Sequence, residues 1–187
     1  LLIEQVLQMS FFDSHDSRLR LRMTELDMEE IIIDATSTYS LKVEEAGGSL
    51  DLDLEATHTE VMGDKLQLTN IVFNLLDNAM KYRKPDVPPH ITVHTSSNDR
   101  NLIIRVEDNG CGIKREYLKK IFDRFFRVPS GNRHDVKGFG LGLPYVALTV
   151  QSHGGHIHAE SEVGVGTTFI ISLPLLTNKS NNTRTNK

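Results

Sequence analysis

The sequence predicts an α+β fold, and three observations carry the prediction. Three segments with helical spacing end at glycine or proline stops, one run alternates leucine with acid at a period of two, and two pairs of strand-like runs are each joined by a short turn-rich link.

Taken in order, residues 1–12 place Leu2, Ile3, Val6, Leu7 and Met9 at helical spacing, the stripe of a helix packed against a partner. The polar run Asp13–Ser17 breaks it, because short hydrogen-bonding side chains compete with helical backbone bonds. Asp27 is placed to cap a helix to about Ala46, with Glu30 completing a box-like start and Gly47–Gly48 ending it. Leu50, Leu52 and Leu54, alternating with Asp51, Asp53 and Glu55, predict a strand with one buried face.

Asp64 opens a second helix to about Arg83, stopped by Pro85, Pro88 and Pro89. Strands at His90–Thr95 and Leu102–Asp108, joined through Ser96–Asp99, read as a hairpin. A short helix near Arg115–Ile121 leads into the irregular stretch Phe122–Phe139, whose length suits a functional lid or disorder. A third helix spans Gly142 to about Ser152, with Pro144 in its first turn and Gly154–Gly155 at its end. Strands at His156–Ser161 and Thr167–Leu173 close the fold, and the polar tail Thr177–Lys187 is expected to be disordered.

The 187 residues suit one domain with a stalk and a tail, and 39% hydrophobic residues are enough to bury a core. A lone Cys111 cannot form an internal disulfide, so a reducing cytoplasm is expected. A net charge of −4 with interspersed signs argues against a nucleic-acid surface. No apolar run reaches the length of a membrane span. Because the chain opens at Leu1, it is expected to be a soluble piece of a longer protein, whose own membrane attachment is left open.

Chemistry concentrates in three segments. On the second helix Asn70, Asn74, Asp77, Asn78 and Lys81 share an arc of about 100°, and apolar residues cover the rest. A helix so apolar is buried on most of its circumference, so this stripe is expected to line a cavity; bonds to neighbouring loops are the alternative. An amide oxygen is a hard neutral ligand, which makes Asn78 the candidate for Mg²⁺ beside a nucleotide triphosphate. Lys81 can meet phosphate, and the Tyr82 ring can flank a base.

Asp108 falls on the inward face of its strand with Leu102, Ile104 and Val106, so its carboxylate needs a donor, for which an adenine amine is suited. Gly110 and Gly112 are expected to let backbone approach a ligand, although Asp-Asn-Gly is also a common turn. The run Gly138-Phe139-Gly140-Leu141-Gly142-Leu143 opens directly into a helix, where free N–H groups favour phosphate; a flexible connector is the alternative. Arg127, and with less support Lys137, could close over that phosphate. His156, His158 and Glu160 share a strand face that reads as solvated rather than metal-binding.

These segments together resemble the catalytic ATP-binding domain of sensor histidine kinases, in the superfamily that includes gyrase, the Hsp90 chaperones and MutL. Asn74–Tyr82 is similar to the family's N box, Asp108–Ile113 to its first glycine box, Ile121–Arg127 to its F box, Gly138–Leu143 to its second glycine box and Gly166–Phe169 to its last. The resemblance covers about Asp27–Pro174. It implies a two-layer α/β sandwich, the Bergerat ATP-binding fold, with a mixed, mostly antiparallel sheet covered by helices on one face.

For the site the resemblance implies that Asn78 holds Mg²⁺, that Asn74 and Lys81 face the phosphates as the catalytic pair, that Tyr82 lies beside adenine and that Asp108 binds its amine. Arg127 and the backbone of residues 138–143 would reach the phosphates, with Gly110, Gly112, Ile113 and Thr167 completing the ATP site. Hydrolysing relatives resemble one another in a glutamate base four residues before the metal asparagine; here that place is Asn74, and an amide cannot deprotonate water at neutral pH. Transfer to a protein histidine is therefore expected, with an ATPase or a nucleotide-sensing module as alternatives.

The acceptor motif itself is missing, and Phe139 stands where smaller residues are common. Residues 1–26 would be the end of a dimerisation helix and its connector, 27–176 the catalytic domain and 177–187 the tail. The implied partners are the dimerisation and phosphoacceptor domain of the same homodimeric parent and a response-regulator receiver domain. The domain itself is expected in the cytoplasm, with or without a parent anchored in the inner membrane.

Overall fold

The computed structural model describes residues 21–129 and 139–176. The expected helix at 1–12, the connector up to residue 20 and the polar tail lie outside the described residues, as do Lys137 and Gly138.

Helix α1 (Met28–Glu44) begins where Asp27 accepts a hydrogen bond from the Glu29 N–H at 2.8 Å. Among the described residues Glu30 makes no reciprocal bond; instead Glu29 Oε1 accepts from Thr95 Oγ1 at 2.6 Å and ties the helix start to the sheet. Helix α2 (Lys65–Lys81) is capped by Asp64, which accepts from the Gln67 N–H at 3.1 Å. Helix α3 (Gly142–Ser152) follows Leu141 with no side-chain cap.

Five strands form one sheet: β2 (Ser49–Leu54), β4 (His90–Ser97), β5 (Asn101–Asp108), β6 (His156–Glu162) and β7 (Gly166–Pro174), in the spatial order β2-β4-β5-β7-β6. Only β2 and β4 run parallel, since α2 lies between them in sequence; the remaining neighbours are antiparallel. Ile91, Val93, Leu102, Ile104, Val106, Phe169 and Ile171 point into a core shared with all three helices. The opposite face carries Arg105, Glu107, His156, His158 and Glu160, all exposed, so the helices cover one face of the sheet.

Three elements depart from expectation. Leu52 is 41% exposed, because β2 is an edge strand with a single neighbour and only Leu50 and Leu54 pack on the core. The expected helix at 115–121 is two 3₁₀ turns, Arg115–Tyr117 and Lys120–Phe122, closed by the Leu118 N–H on the Arg115 carbonyl and the Asp123 N–H on the Lys120 carbonyl. A separate antiparallel ribbon, β1 (Thr24–Asp27) with β3 (Glu60–Gly63), was not expected from the sequence pattern. It draws Thr24–Leu26, read as connector, into contact with the domain.

Candidate functional site

The stripe on α2 is half-buried at Asn70, Asn74, Asp77 and Asn78, whereas Ile71, Val72, Leu75, Leu76 and Ala79 are buried. Its two ends meet the two glycine segments. At one end, a Cβ on Gly142 would sit 3.0 Å from Asn74 Oδ1, so the uncapped start of α3 abuts the stripe. At the other, the Tyr82 carbonyl accepts from the Cys111 N–H at 2.9 Å, which seats the first glycine segment on the end of the helix. Asn74 to Tyr82 spans roughly 12 Å of helix rise, a floor along which base and phosphates can lie at opposite ends.

Asp108 sits at that far end. Its Oδ1 accepts from the Gly110 N–H at 2.8 Å. Burial pushes its carboxyl up to about 6, while the Gly110 and Thr167 backbone N–H groups pull it back toward the ordinary range. No cation pairs directly with it among the described residues, so it keeps acceptor capacity for an incoming N–H donor. Tyr82 stands beside it and is 47% exposed.

The two glycines of the first segment also meet constraints from the chain itself. A Cβ on Gly112, whose φ is +70°, would lie 2.0 Å from the Glu162 carbonyl oxygen, and one on Gly110 would meet Asp108 Oδ1 at 2.6 Å and the Tyr82 carbonyl at 2.7 Å. Both are needed for close approach of the chain to itself. Ile113 is held likewise, its N–H donating to Ser161 Oγ at 2.8 Å. Ser161 donates in turn to the Gly166 carbonyl at 2.7 Å and lies 2.9 Å from Thr167 Oγ1, so one hydroxyl locks the first and last glycine segments together. Sequence reading missed Ser161, because a polar residue near a strand end carries no distinguishing signal.

At the Asn74 end, Leu141 is buried, Leu143 half-buried and Phe139 60% exposed. Gly140, at φ +71°, accepts at its carbonyl from the Phe125 N–H at 3.0 Å, joining the start of α3 to the segment that carries Arg127. Arg127 is exposed and already holds an interaction within the chain. The Lys81 ammonium pairs with Asp77 Oδ2 at 2.5 Å.

Asn78 tests whether a magnesium ion fits. Its half-buried amide takes no hydrogen bond among the described residues, while the neighbouring Asn74 Nδ2 donates to the Asn70 carbonyl at 2.8 Å. A hard oxygen with no partner among the described residues, one helical turn from Asn74, suits an ion that is shared with phosphates. A shallow recess on the other side of Asp108 is lined by Glu107, Glu160 and Glu162, and this acidic rim would repel phosphate.

The model of the family described as histidine kinase-, DNA gyrase B- and HSP90-like ATPases matches residues 63–177, more than half of the chain. The sensor protein RprX of Bacteroides fragilis is 51% identical over 176 residues, which are 94% of this chain and 34% of that protein. The sensor protein SrrB of Staphylococcus aureus is 39% identical over 111 residues, 59% of this chain and 19% of SrrB. The chain thus spans about a third or less of these relatives' length. Among solved structures, the catalytic domain of histidine kinase ThkA superposes with a TM-score of 0.70 at 23% identity, covering 82% of this chain and 97% of that one. A mycobacterial sensor histidine kinase, MprB, gives 0.68 at 27% identity, covering 83% and 99%. With its glycine segments meeting the asparagine helix as they do, the chain belongs to the family of histidine kinase-, DNA gyrase B- and HSP90-like ATPases.

Proposed function

We propose that this chain is the catalytic ATP-binding domain of a sensor histidine kinase and transfers the γ-phosphoryl group of Mg-ATP to a histidine on a dimerisation domain of the same parent protein. The observation that carries the reading is the single floor formed by α2, with the uncapped start of α3 at its Asn74 end and the half-buried acid Asp108 at its Tyr82 end. Adenine lies at the acid end, its amine donating to Asp108 and its face against Tyr82. The phosphates lie at the helix start, on the backbone N–H groups of Gly142 and Leu143, with Arg127 and Lys81 as counter-charges.

Magnesium, when bound, neutralises charge on the transferring phosphate, and Asn78 is the residue that would hold it. In the reaction a bond forms between an imidazole nitrogen and the γ-phosphorus while the bond to the bridging oxygen breaks, and ADP leaves. The chain's residues contribute position and charge, which is most of catalysis in phosphoryl transfer. Asn74 separates this reading from hydrolysis: its amide already donates to the Asn70 carbonyl and offers no base for water.

The partners follow from the reading: a phosphoacceptor domain, and a response regulator of the kind present with ThkA in a structure that matches this chain with a TM-score of 0.72. No described helix is long and apolar enough to cross a membrane. The test is label from γ-labelled ATP. The dimerisation domain of the parent should acquire it from this chain, and Asn78→Ala should abolish magnesium-dependent ATP binding in calorimetry. Labelling of the intact parent but not of the separate pair would refute the fragment's competence. Unchanged affinity in Asn78→Ala would refute the metal assignment.

A further inference from the structure

On the flank of α2 that faces α1, four polar side chains form a cluster that the nucleotide reading leaves unused. Asp77 divides its two oxygens. Oδ2 takes Lys81, whereas Oδ1 takes Lys42 Nζ at 3.2 Å and the Tyr39 hydroxyl at 3.3 Å. Lys42 also donates to the Tyr39 oxygen at 2.8 Å and lies over the Tyr39 ring, 4.6 Å from its centre. Tyr39 is buried, so the α1 side of the cluster is anchored.

Lys81 lies on the helix between Asp77, one turn back, and Asn78, three residues back. Its ammonium can therefore move from one flank to the other by side-chain rotation alone. Departure toward phosphate would strip a half-buried carboxylate of one cation, which is unfavourable unless a second remains. Lys42 is that second cation. We propose that Lys42, oriented by Tyr39, is a positioning residue for nucleotide binding: it holds Asp77 so that Lys81 can be released to the phosphates. The inference rests on the reading of Lys81 given above.

The direction of effect follows. Without Lys42, Lys81 becomes the sole cation of Asp77 and is bound more firmly there, so phosphate must compete for it. Calorimetry on this 187-residue chain should show Lys42→Met weakening Mg-ATP about two- to fivefold, the range of a part-exposed ion pair, with adenosine affinity unchanged. Lys42→Arg should restore wild-type affinity. In an Asp77→Asn background Lys42→Met should have no further effect, because the competition has been removed.

Equal weakening of adenosine and Mg-ATP would overturn the proposal, as would the same loss in the Asp77→Asn background, which is the signature of a distant charge. Retained affinity in Lys42→Met, when Lys81→Met weakens Mg-ATP, would remove this inference alone. Unchanged affinity in Lys81→Met would remove the phosphate role of Lys81 and this proposal together.

Discussion

Asp108 is the residue at which stability and function oppose each other. Its carboxyl is raised to about 6 by burial, against about 3.9 in an unfolded chain. A group raised on folding stabilises fully below its unfolded value and loses that contribution as pH rises through the folded one. The nucleotide-free domain should therefore lose on the order of 2–3 kcal/mol between about pH 4 and pH 6. Asp108→Asn should flatten denaturant-derived stability across that window and leave the variant more stable at pH 7, while weakening discrimination of adenine from guanine. In the wild type, nucleotide affinity should fall below about pH 6, as the acceptor takes up a proton. A variant no more stable than wild type at neutral pH would refute burial as the dominant cause. Asp108 itself was readable in the sequence from its inward phase on β5; that its nearest donors are the Gly110 and Thr167 backbones was not.

At the scale of elements, α3 has to be held against α2, and two contacts, one near each end of α3, do this. The Tyr145 hydroxyl donates to Gln67, and buried His153 bridges the helix ends. His153 Nε2 accepts from the Asp64 N–H at 3.0 Å, and Nδ1 is 2.7 Å from the Thr149 carbonyl, so a neutral ring with its proton on Nδ1 satisfies both. His153→Leu would leave a part-buried N–H unpaired and should cost about 1–3 kcal/mol by chemical denaturation. A variant that loses less than this would show that solvent reaches the Asp64 N–H. Gly112→Ala should be as damaging, since its Cβ would overlap the Glu162 carbonyl at a φ that disfavours side chains, and its unfolding midpoint reads this directly. The helices themselves were legible from spacing and caps; β1 and β3, four residues each, were not, because so short a run has no period and gains its structure only from its partner.

For the whole molecule, the decisive quantity is where the γ-phosphoryl group goes. The chain should release phosphate slowly on its own, and Asn74→Ala should leave that background unchanged in a steady-state phosphate assay. Loss of a robust hydrolysis rate in that variant would favour an ATPase instead.

Local chemistry is what the sequence determined by itself: three helices, the β4–β5 hairpin, the closing strand pair and five ordered segments whose residue types suit the proposed nucleotide site. Those features depend on spacing, capping and turn residues within a few positions of one another. Tertiary structure alone decided that Ser161 locks Ile113 to Gly166, that His153 meets Asp64 and that Tyr39 and Lys42 share Asp77 with Lys81. Most of these contacts join residues from distant parts of the chain, and their geometry exists only once the helices have packed on the sheet.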